Sequence, residues 1–403
     1  MALKANKIEV KTTVAGKEVL AGVLFNHGNS VSFKYDASFV ALPKSFDLFP
    51  ALPRTSFAPF HFNGLGVFSD CAPDRWGRTL IQRALKRNRV SEVEYLLNVD
   101  DAARQGALRF YINGEAQTPK SNIPLVISLP ELLSIADKIV LQSEITDVEA
   151  KKLFDATGSL GGARPKACVR DANELYVAKF PKPVGDAWDV IGWEFVTLKL
   201  AEAFEIEVPK AKKIDITDKQ ARKRSTMLTK RFDREGLERI HYMSAMTALQ
   251  QTDGAGGDWQ DLAELTAEFG ANTHQLFKRA IFGCAIGNLD NHLRNHGFLL
   301  KNNAWQLSPA FDMNPQPHDA GKDIYQLALF GENELNIKAF LTKSALELFN
   351  VSKTEAKGEL KQLCAVLKKA INIAKRNKLD LRSVELLVPR FEHSANEIEG
   401  LLA

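Results

Sequence analysis

The stretch Ile286-Gly287-Asn288-Leu289-Asp290-Asn291-His292-Leu293-Arg294-Asn295 decides the fold of this chain. Apolar residues recur at helical spacing between Leu276 and Ala285, which predicts a buried helix before the stretch. Gly297-Phe298-Leu299-Leu300 follows it and is typical of a strand. The stretch is therefore a turn between a buried helix and a strand, and it carries Asp290 and Asn295 five residues apart.

A second carboxylate, Asp312, follows Asp290 by 22 residues. Phosphoryl transfer needs one carboxylate to meet the incoming hydroxyl, and an amide oxygen and a further carboxylate to hold Mg²⁺. Asp290, Asn295 and Asp312 supply these groups in the order found in kinases. Taken alone, the segment is equally typical of a surface loop of helix-capping residues, so other parts of the chain must decide.

Two earlier segments favour the kinase interpretation. Residues 158–162, Gly-Ser-Leu-Gly-Gly, could surround a phosphate with backbone N–H groups, although they match neither common phosphate-loop pattern and could be a tight turn. Lys179 ends an apolar strand, where its ammonium must reach solvent or an anion. Glu194 begins the next helix and could pair with Lys179, or merely interact with the helix dipole. The order of all these segments predicts a nucleotide site.

Composition excludes several classes of protein. The 403 residues are 45% apolar and 25% charged, with 53 basic and 49 acidic side chains and a net charge of +4. These values are typical of a globular protein and argue against disorder, collagen or coiled coil. The charge is too small to imply nucleic-acid binding by itself. No membrane-spanning run and no secretory h-region is found, so we expect a cytoplasmic protein.

The chain is predicted to be α+β, with strands first and helices later. We expect an N-terminal subdomain over residues 1–150, a core with the Gly-rich loop over 151–235, and a helical part over 236–403. The four cysteines are far apart and form no C-x-x-C pair, so buried or half-buried thiols are expected.

His292 and His296 form an H-x-x-x-H pattern, which suggests zinc. No glutamate stands beside His292 and no third ligand is evident. We therefore expect His292 to act with Asp290 by orienting the catalytic loop, and His296 to be structural or exposed.

At these residues the chain resembles the HipA family of bacterial toxin Ser/Thr kinases. The matching pieces are Ser159-Leu160-Gly161-Gly162-Ala163-Arg164-Pro165-Lys166, Ala178-Lys179-Phe180, the Glu194 helix, Thr229-Lys230-Arg231-Phe232-Asp233-Arg234, residues 287–295, residues 307–312, and Pro73-Asp74-Arg75-Trp76-Gly77. The resemblance implies a two-lobed, protein-kinase-like fold. It would have a β-rich N-terminal lobe with an extra N-terminal subdomain, and an all-α C-terminal lobe.

The resemblance also implies a role for each matched residue. Asp290 would be the catalytic base, and Asn295 and Asp312 would be Mg²⁺ ligands. The expected ATP-binding residues are Gly161, Gly162, Lys179, Glu194, Lys230, Phe232 and Asp233. Lys230 and Phe232 would lie at the hinge, where backbone groups bind adenine, and Asp233 would reach the ribose. Ser159 would be the autophosphorylation site in the Gly-rich loop. A phosphate there would be repelled by the phosphates of ATP, which would eject the loop and lower ATP binding. Gly161 and Phe311 depart mildly from the family's usual residues, and Arg164-Pro165 is a less usual pair within the loop.

Members of the family commonly act with a small DNA-binding antitoxin of the HipB type. With no helix-turn-helix evident, this chain would reach operator DNA only through such a partner. Known family targets include aminoacyl-tRNA synthetases, but nothing in these residues selects a substrate. Two other functions stay open: an inactive kinase that serves as an antitoxin-bound corepressor, and a kinase for a small molecule or lipid.

Overall fold

The computed structural model describes residues 6–56, 58–117, 123–156, 164–218, 221–236, 238–318 and 323–403. Within these ranges no helix combines the length and apolar character needed to cross a membrane. All four cysteines are buried and unpaired, as the sequence predicted.

The N-terminal part is built on a six-stranded antiparallel sheet, with strand order β4-β3-β2-β1-β5-β6. Its elements are β1 (Lys7–Val14), β2 (Lys17–Asn26), β3 (Ser30–Tyr35), α1 (Ala37–Ala41), β4 (Phe60–Asn63), α2 (Arg75–Leu85), α3 (Glu92–Leu97), β5 (Arg109–Ile112) and β6 (Glu115–Ala116). Alternate residues of β1, from Ile8 to Val14, are buried, as the period of a half-buried strand requires. Phenylalanines from the sheet and its connections fill the core beneath it.

Three helices and a second sheet follow. They are α4 (Leu129–Val140), α5 (Asp147–Asp155), β7 (Lys166–Asp171), β8 (Glu174–Lys179), α6 (Val190–Ala203), β9 (Ala211–Thr217) and β10 (Lys223–Lys230). The strand order is β7-β8-β10-β9, and every pair is antiparallel. Helix α6 is apolar on nearly all sides and almost completely buried, so its one central carboxylate, Glu194, is also buried. That burial requires a partner for the charge.

The remaining residues are mainly helical, with short strands between the helices. The elements are β11 (Arg234–Glu235), β12 (Glu238–Arg239), β13 (His241–Ser244), α7 (Ala245–Ala248), β14 (Gly257–Asp258), α8 (Trp259–Glu268), α9 (Thr273–Ala285), β15 (Gly297–Lys301), β16 (Ala304–Leu307), β17 (Ile324–Leu329), β18 (Glu332–Glu334), α10 (Lys343–Leu348), α11 (Lys353–Leu367), α12 (Ala370–Arg376) and α13 (Leu381–Leu402). The predicted buried helix is α9, whose residues from Leu276 to Ala285 are all buried.

The α+β order is confirmed, but the expectation of an all-α C-terminal lobe is wrong. Strands β13, β15 and β16 form one small sheet, and β14, β17 and β18 form another. Asn302 and Asn303 both have positive φ, 52° and 61°, which is the two-residue turn that joins β15 to β16 as a hairpin. These hairpins are short, so the long helical patterns around them dominated the prediction. They matter because β15 and β17 flank the segment that carries Asp290.

Candidate active site

The turn after α9 depends on a glycine. Gly287 has φ +64°, a conformation that other residues adopt at a cost, and a Cβ there would lie 2.7 Å from Nε of Arg390. Arg390 is buried and bound to Asp323, so it has no room to move. The backbone N–H of Asn295 then donates to the carbonyl of His292 over 2.8 Å. Residues 286–296, called the catalytic loop below, are therefore held in one shape.

Asp290 lies at the exposed tip of this loop. Its Oδ1 accepts a hydrogen bond of 2.7 Å from Nε2 of Gln326, on β17. Desolvation raises the pKa of the Asp290 carboxyl, an effect that the neighbouring His292 opposes. Asn295 donates from Nδ2 to the backbone carbonyl of Asp290 over 3.2 Å, which fixes the Asn295 amide group beside Asp290. This carboxylate is accessible, oriented and able to accept a proton.

Lys179 lies between two carboxylates. Its Nζ is 2.5 Å from Oε1 of Glu194 and 2.7 Å from Oδ1 of Asp312. The structure thus contains the predicted Lys179–Glu194 pair and adds Asp312 to it. Asp312 has φ +59°, which costs a non-glycine residue about 1–3 kcal/mol. Such strain persists only where the surroundings enforce it, and here Asn314 also donates to Oδ1 over 2.9 Å.

The charges of this cluster are set by burial and by the lysine. Burial raises the pKa of Glu194. Burial alone would also raise the pKa of Asp312, but Lys179 overrides it and holds that pKa well below its ordinary value. Burial disfavours the charged form of Lys179, yet Asp312 and Glu194 raise its pKa above the ordinary value. At neutral pH the site therefore has a protonated lysine and an ionised Asp312.

Two pockets meet at this cluster. One is mainly apolar, with Val177, Leu198, Phe232 and Phe311 in its lining. The other is polar; its lining includes Asp70, Asp74, Lys179, Arg294, Asn295 and Asp312. Lys179 and Asp312 line both pockets. A ligand with an apolar, flat end and an anionic end would match this combination, with its anionic end beside the lysine.

The polar pocket also suits a hard divalent cation. Mg²⁺ binds oxygen ligands, often one or two protein groups with the rest supplied by phosphate and water. Asn295 and Asp312 line the same pocket, and Asp312 is ionised. Oδ1 of Asn314 is buried without a partner among the described residues, so one more oxygen next to Asp312 is uncommitted. No group of three or more His, Cys, Asp or Glu in the described ranges forms a metal site.

The predicted hinge residues have different surroundings. Phe232 packs its ring 5.5 Å from that of Phe311 and lines the apolar pocket. Lys230 also lines this pocket, but its ammonium pairs with Glu174 at the surface. The aromatic ring of Phe232 therefore contributes an apolar contact that the sequence had assigned only to backbone groups.

Asp233, which was predicted to contact the ribose, lines the apolar pocket beside Phe232, but its carboxylate is bound to protein groups. Its side chain is 3% exposed. The carboxylate accepts from Arg231, from Arg234 and from the backbone N–H of Gly106 at 2.6–2.9 Å. Arg231 and Arg234 are both buried and share this carboxylate, which determines where its oxygens point. Asp233 therefore links its own segment to the N-terminal part from the wall of the pocket, and its contact with a ribose stays a prediction.

The two histidines differ in their contacts with the described residues. Nδ1 of His292 is buried without a hydrogen-bond partner among the described residues, so its side chain does not orient the loop through that atom. His296 is buried, and its Nε2 lies 3.0 Å from Oδ1 of Asn291. Bracing of the loop therefore falls to His296 and Asn291. The sequence left His296 open between a structural and an exposed position, and the structural one is right.

Ser159, Gly161 and Gly162 lie outside the described residues, so their predicted roles stay predictions. The residues that follow them make defined contacts. Arg164 pairs with Asp186 at 2.7 Å, and Lys166 begins β7 directly opposite Lys179.

Several residues of the cleft were missed by sequence reasoning. Asp70, Asp74, Gln105 and Tyr242 line the polar pocket from elements distant in sequence. The Pro73–Gly77 motif was the one available signal for Asp74, but it gave no role. Arg294 lies within residues 286–295, but the kinase pattern requires no charged residue at that position, so the sequence assigned it no role.

Comparisons with known proteins agree with this geometry. A sequence model of the HipA-like C-terminal domain matches residues 158–371, and one of the HipA N-terminal domain matches residues 12–111. A curated Haemophilus influenzae protein, named as a candidate kinase, is 24% identical over 161 residues, which is 36% of this chain and 47% of that protein. The chain thus spans about half the length of this relative.

Solved structures give the fold. The HipA chain of a structure titled as the Shewanella oneidensis HipA, HipB and operator DNA complex matches with a TM-score of 0.71 at 15% identity, over 98% of this chain and 99% of that chain. The Helicobacter pylori kinase CtkA matches with a TM-score of 0.44 at 17% identity, over 60% of this chain and 92% of that one. The fold is the two-lobed, kinase-like fold of the first structure. With more than half of its length matched by the family's C-terminal domain, the chain belongs to the HipA family.

Proposed function

We propose that the chain is an ATP- and Mg²⁺-dependent protein Ser/Thr kinase and the toxin of a toxin–antitoxin pair. The observation that carries the proposal is the position of Lys179 between Glu194 and Asp312. A buried, protonated lysine with one dedicated carboxylate partner is the arrangement that kinases use to orient nucleotide phosphates. Asp290 and Asn295 stand on the adjoining catalytic loop.

Each residue then has a step in the transfer. The apolar pocket with Phe232 and Phe311 binds the adenine, and Lys179 donates to the phosphates. Asn295 and Asp312 would hold Mg²⁺, which neutralises charge on the transferring phosphate. Asp290 accepts the proton of the substrate hydroxyl while the oxygen of that hydroxyl bonds to the γ-phosphorus. The bond from that phosphorus to the β–γ bridging oxygen breaks, and ADP leaves.

The raised pKa of Asp290 suits this role, because a base is most effective when its pKa is nearer the working pH. Gln326 donates to the ionised carboxylate and keeps one of its oxygens oriented. Gln326 lies on β17, so the β17–β18 hairpin supports Asp290 directly through this hydrogen bond.

Ser159 is proposed as a site of self-inactivation, on a loop that includes Gly161 and Gly162. A phosphoserine adds a charge of roughly −1.5 to −2. If the loop covers the ATP phosphates, as in the family, this charge would repel them and lower ATP binding. We also propose that the chain is divided into domains at residues 150 and 235 and that it is located in the cytoplasm.

The proposed partner is a DNA-binding antitoxin of the HipB type. This proposal rests on the similarity of fold to the Shewanella HipA chain, whose structure contains HipB and operator DNA. Operator DNA would be reached through that partner. The substrate is a cellular protein, with aminoacyl-tRNA synthetases as the first class to examine because the family includes such targets.

The proposal is tested by following labelled γ-phosphate from ATP in a cell extract treated with purified protein. We expect label in protein hydroxyl groups with the wild-type chain and none with Asp290→Ala. Label found only in lipids or small molecules would contradict the protein-kinase assignment. Equal labelling by both forms would contradict the role of Asp290.

A further inference from the structure

The segment of residues 70–74, called the bridging segment, runs from the N-terminal part across both walls of the polar pocket. Asp70 lies near the end of a 3₁₀ turn (Gly66–Cys71), and Asp74 caps helix α2. Both side chains are buried, 5% and 8% exposed, and both line the pocket. Two buried carboxylates four residues apart must each have a partner.

Asp74 binds the wall of the pocket that is formed by the start of β7. Its Oδ2 is 2.7 Å from Nζ of Lys166, and both side chains are about 5% exposed. Trp76 donates from Nε1 to the backbone carbonyl of Lys166 over 2.9 Å. Lys166 lies directly opposite Lys179 in the β7–β8 pair, where two like charges would repel. Asp74 neutralises one of these lysines, as Glu194 and Asp312 neutralise the other.

Asp70 binds the opposite wall. Its two oxygens accept from the backbone N–H and the hydroxyl of Ser244, over 2.7 and 2.9 Å. Ser244 ends β13, and the next residue donates from its backbone N–H to the carbonyl of His296, at the end of the catalytic loop. Asp70 also lies 3.9 Å from Nη1 of Arg294, within that loop.

The segment between these two aspartates is short and fixed. Pro73 has a restricted φ. The carbonyl of Cys71 accepts from the fully buried Arg104 over 2.8 Å, and that of Pro73 accepts from Arg78 over 3.2 Å. A movement of one wall is therefore transmitted to the other.

We propose that the bridging segment sets the position of both walls: Asp74 positions Lys166 beside the phosphate site, and Asp70 positions the catalytic loop. The inference rests on the proposed kinase function and gives the N-terminal part a role in it. Both aspartates are positioning residues. If Asp74 loses its charge, the Lys166 ammonium turns to Asp312, whose carboxylate already feels its charge, and competes with Mg²⁺ and nucleotide. If Asp70 loses its charge, the loop with Asp290 is less well fixed while the nucleotide pocket is intact.

The test uses Asp74→Asn and Asp70→Asn in the full chain. Asparagine still caps a helix and still accepts a backbone N–H, so the change removes mainly the charge. Asp36→Asn is the matched control, because Asp36 also caps a helix of the N-terminal part but binds only Ser38. Asp74→Ser, a second uncharged cap, replaces Asp74→Asn if that variant does not unfold cooperatively. The measurements are the Kd of a non-hydrolysable ATP analogue with Mg²⁺ and the single-turnover rate of phosphate transfer at saturating ATP.

We expect Asp74→Asn to raise Kd about tenfold and to change the saturated rate little. We expect Asp70→Asn to lower the saturated rate about tenfold with Kd nearly unchanged. Unchanged or tighter binding by Asp74→Asn, or the same loss of both quantities in both variants, would overturn the inference. A wild-type chain that neither binds the analogue nor transfers phosphate would contradict the proposed function first, and the inference with it.

Discussion

Asp233 gives the sharpest test of how the hinge is built. In the structure its carboxylate takes hydrogen bonds from Arg231, Arg234 and Gly106, and the two arginine side chains are 1% and 7% exposed. Asp233→Asn keeps the shape but leaves two buried guanidinium groups without an anion. Breaking a buried pair in this way costs about 3–5 kcal/mol. We expect the free energy of unfolding to fall by that amount at pH 7.

The cost has a defined pH dependence. The two arginines hold the folded-state pKa of Asp233 well below its ordinary value, against the effect of burial. A depressed pKa stabilises the fold above the ordinary aspartate pKa, and the stabilisation is lost as the pH falls toward the folded-state pKa. The difference between wild type and Asp233→Asn should therefore be full at pH 7 and should shrink below about pH 4.

Urea unfolding at pH 7 and at low pH measures this difference. Asp47→Asn is the control, because the Asp47–Arg54 pair is 46% and 31% exposed and should contribute less than about 1 kcal/mol. ATP affinity, measured well below the unfolding midpoint, should change little. Weakened ATP binding with unchanged stability would refute our reasoning and support the ribose contact.

The other predictions concern the reacting groups. Because burial raises the pKa of the Asp290 carboxyl, the rate of transfer should rise with pH as this carboxyl loses its proton. Gln326→Leu removes a hydrogen bond to the ionised carboxylate, so this rise should move to higher pH in a pH–rate profile. Lys179→Met should reduce transfer at least a hundredfold, or about 2.7 kcal/mol, in single-turnover assays, and adding Glu194→Gln should recover stability in urea without recovering activity. Phe232→Ala should weaken binding of adenine nucleotides about tenfold in calorimetry, and an unchanged Kd would contradict a contact between Phe232 and the adenine.

The residues that sequence could place are those whose chemistry follows from order and local pattern. The period of α9 and the turn at Gly287 located Asp290, and the strand that ends at Lys179 located the lysine. The 2.7 Å contact between Lys179 and Asp312 could not be predicted, because a separation of 133 residues in sequence carries no information about distance. The strands of the C-terminal part were not predicted, because they are short and the helical patterns around them are longer.

Side-chain direction was harder to predict than position. Asp233 was assigned to a ligand because no local signal reveals that Arg231 and Arg234 both turn toward it. His292 and His296 are equally polar in the sequence, and only the burial of His296 against Trp259 and Asn291 separates them. Asp70 and Asp74 were missed because their partners come from elements more than 90 residues away.

The N-terminal part is more closely joined to the cleft than its separate sheet suggests. Asp233 accepts from the backbone of Gly106, and Arg231 donates to the carbonyls of residues 103 and 104. Together with the bridging segment, these contacts fasten the hinge and both walls of the polar pocket to one region. A deletion of residues 1–111 should therefore uncover charged groups that are now paired.

The most direct test of the central claim is the intact mass of purified protein before and after incubation with ATP and Mg²⁺, for the wild type, Asp290→Ala and Ser159→Ala. We expect a gain of one phosphate in the wild type and no gain in either variant. A phosphate gained by Asp290→Ala would contradict the assignment of the base. No phosphate on any form, with none passed to other proteins, would contradict the kinase function and favour a role in binding alone.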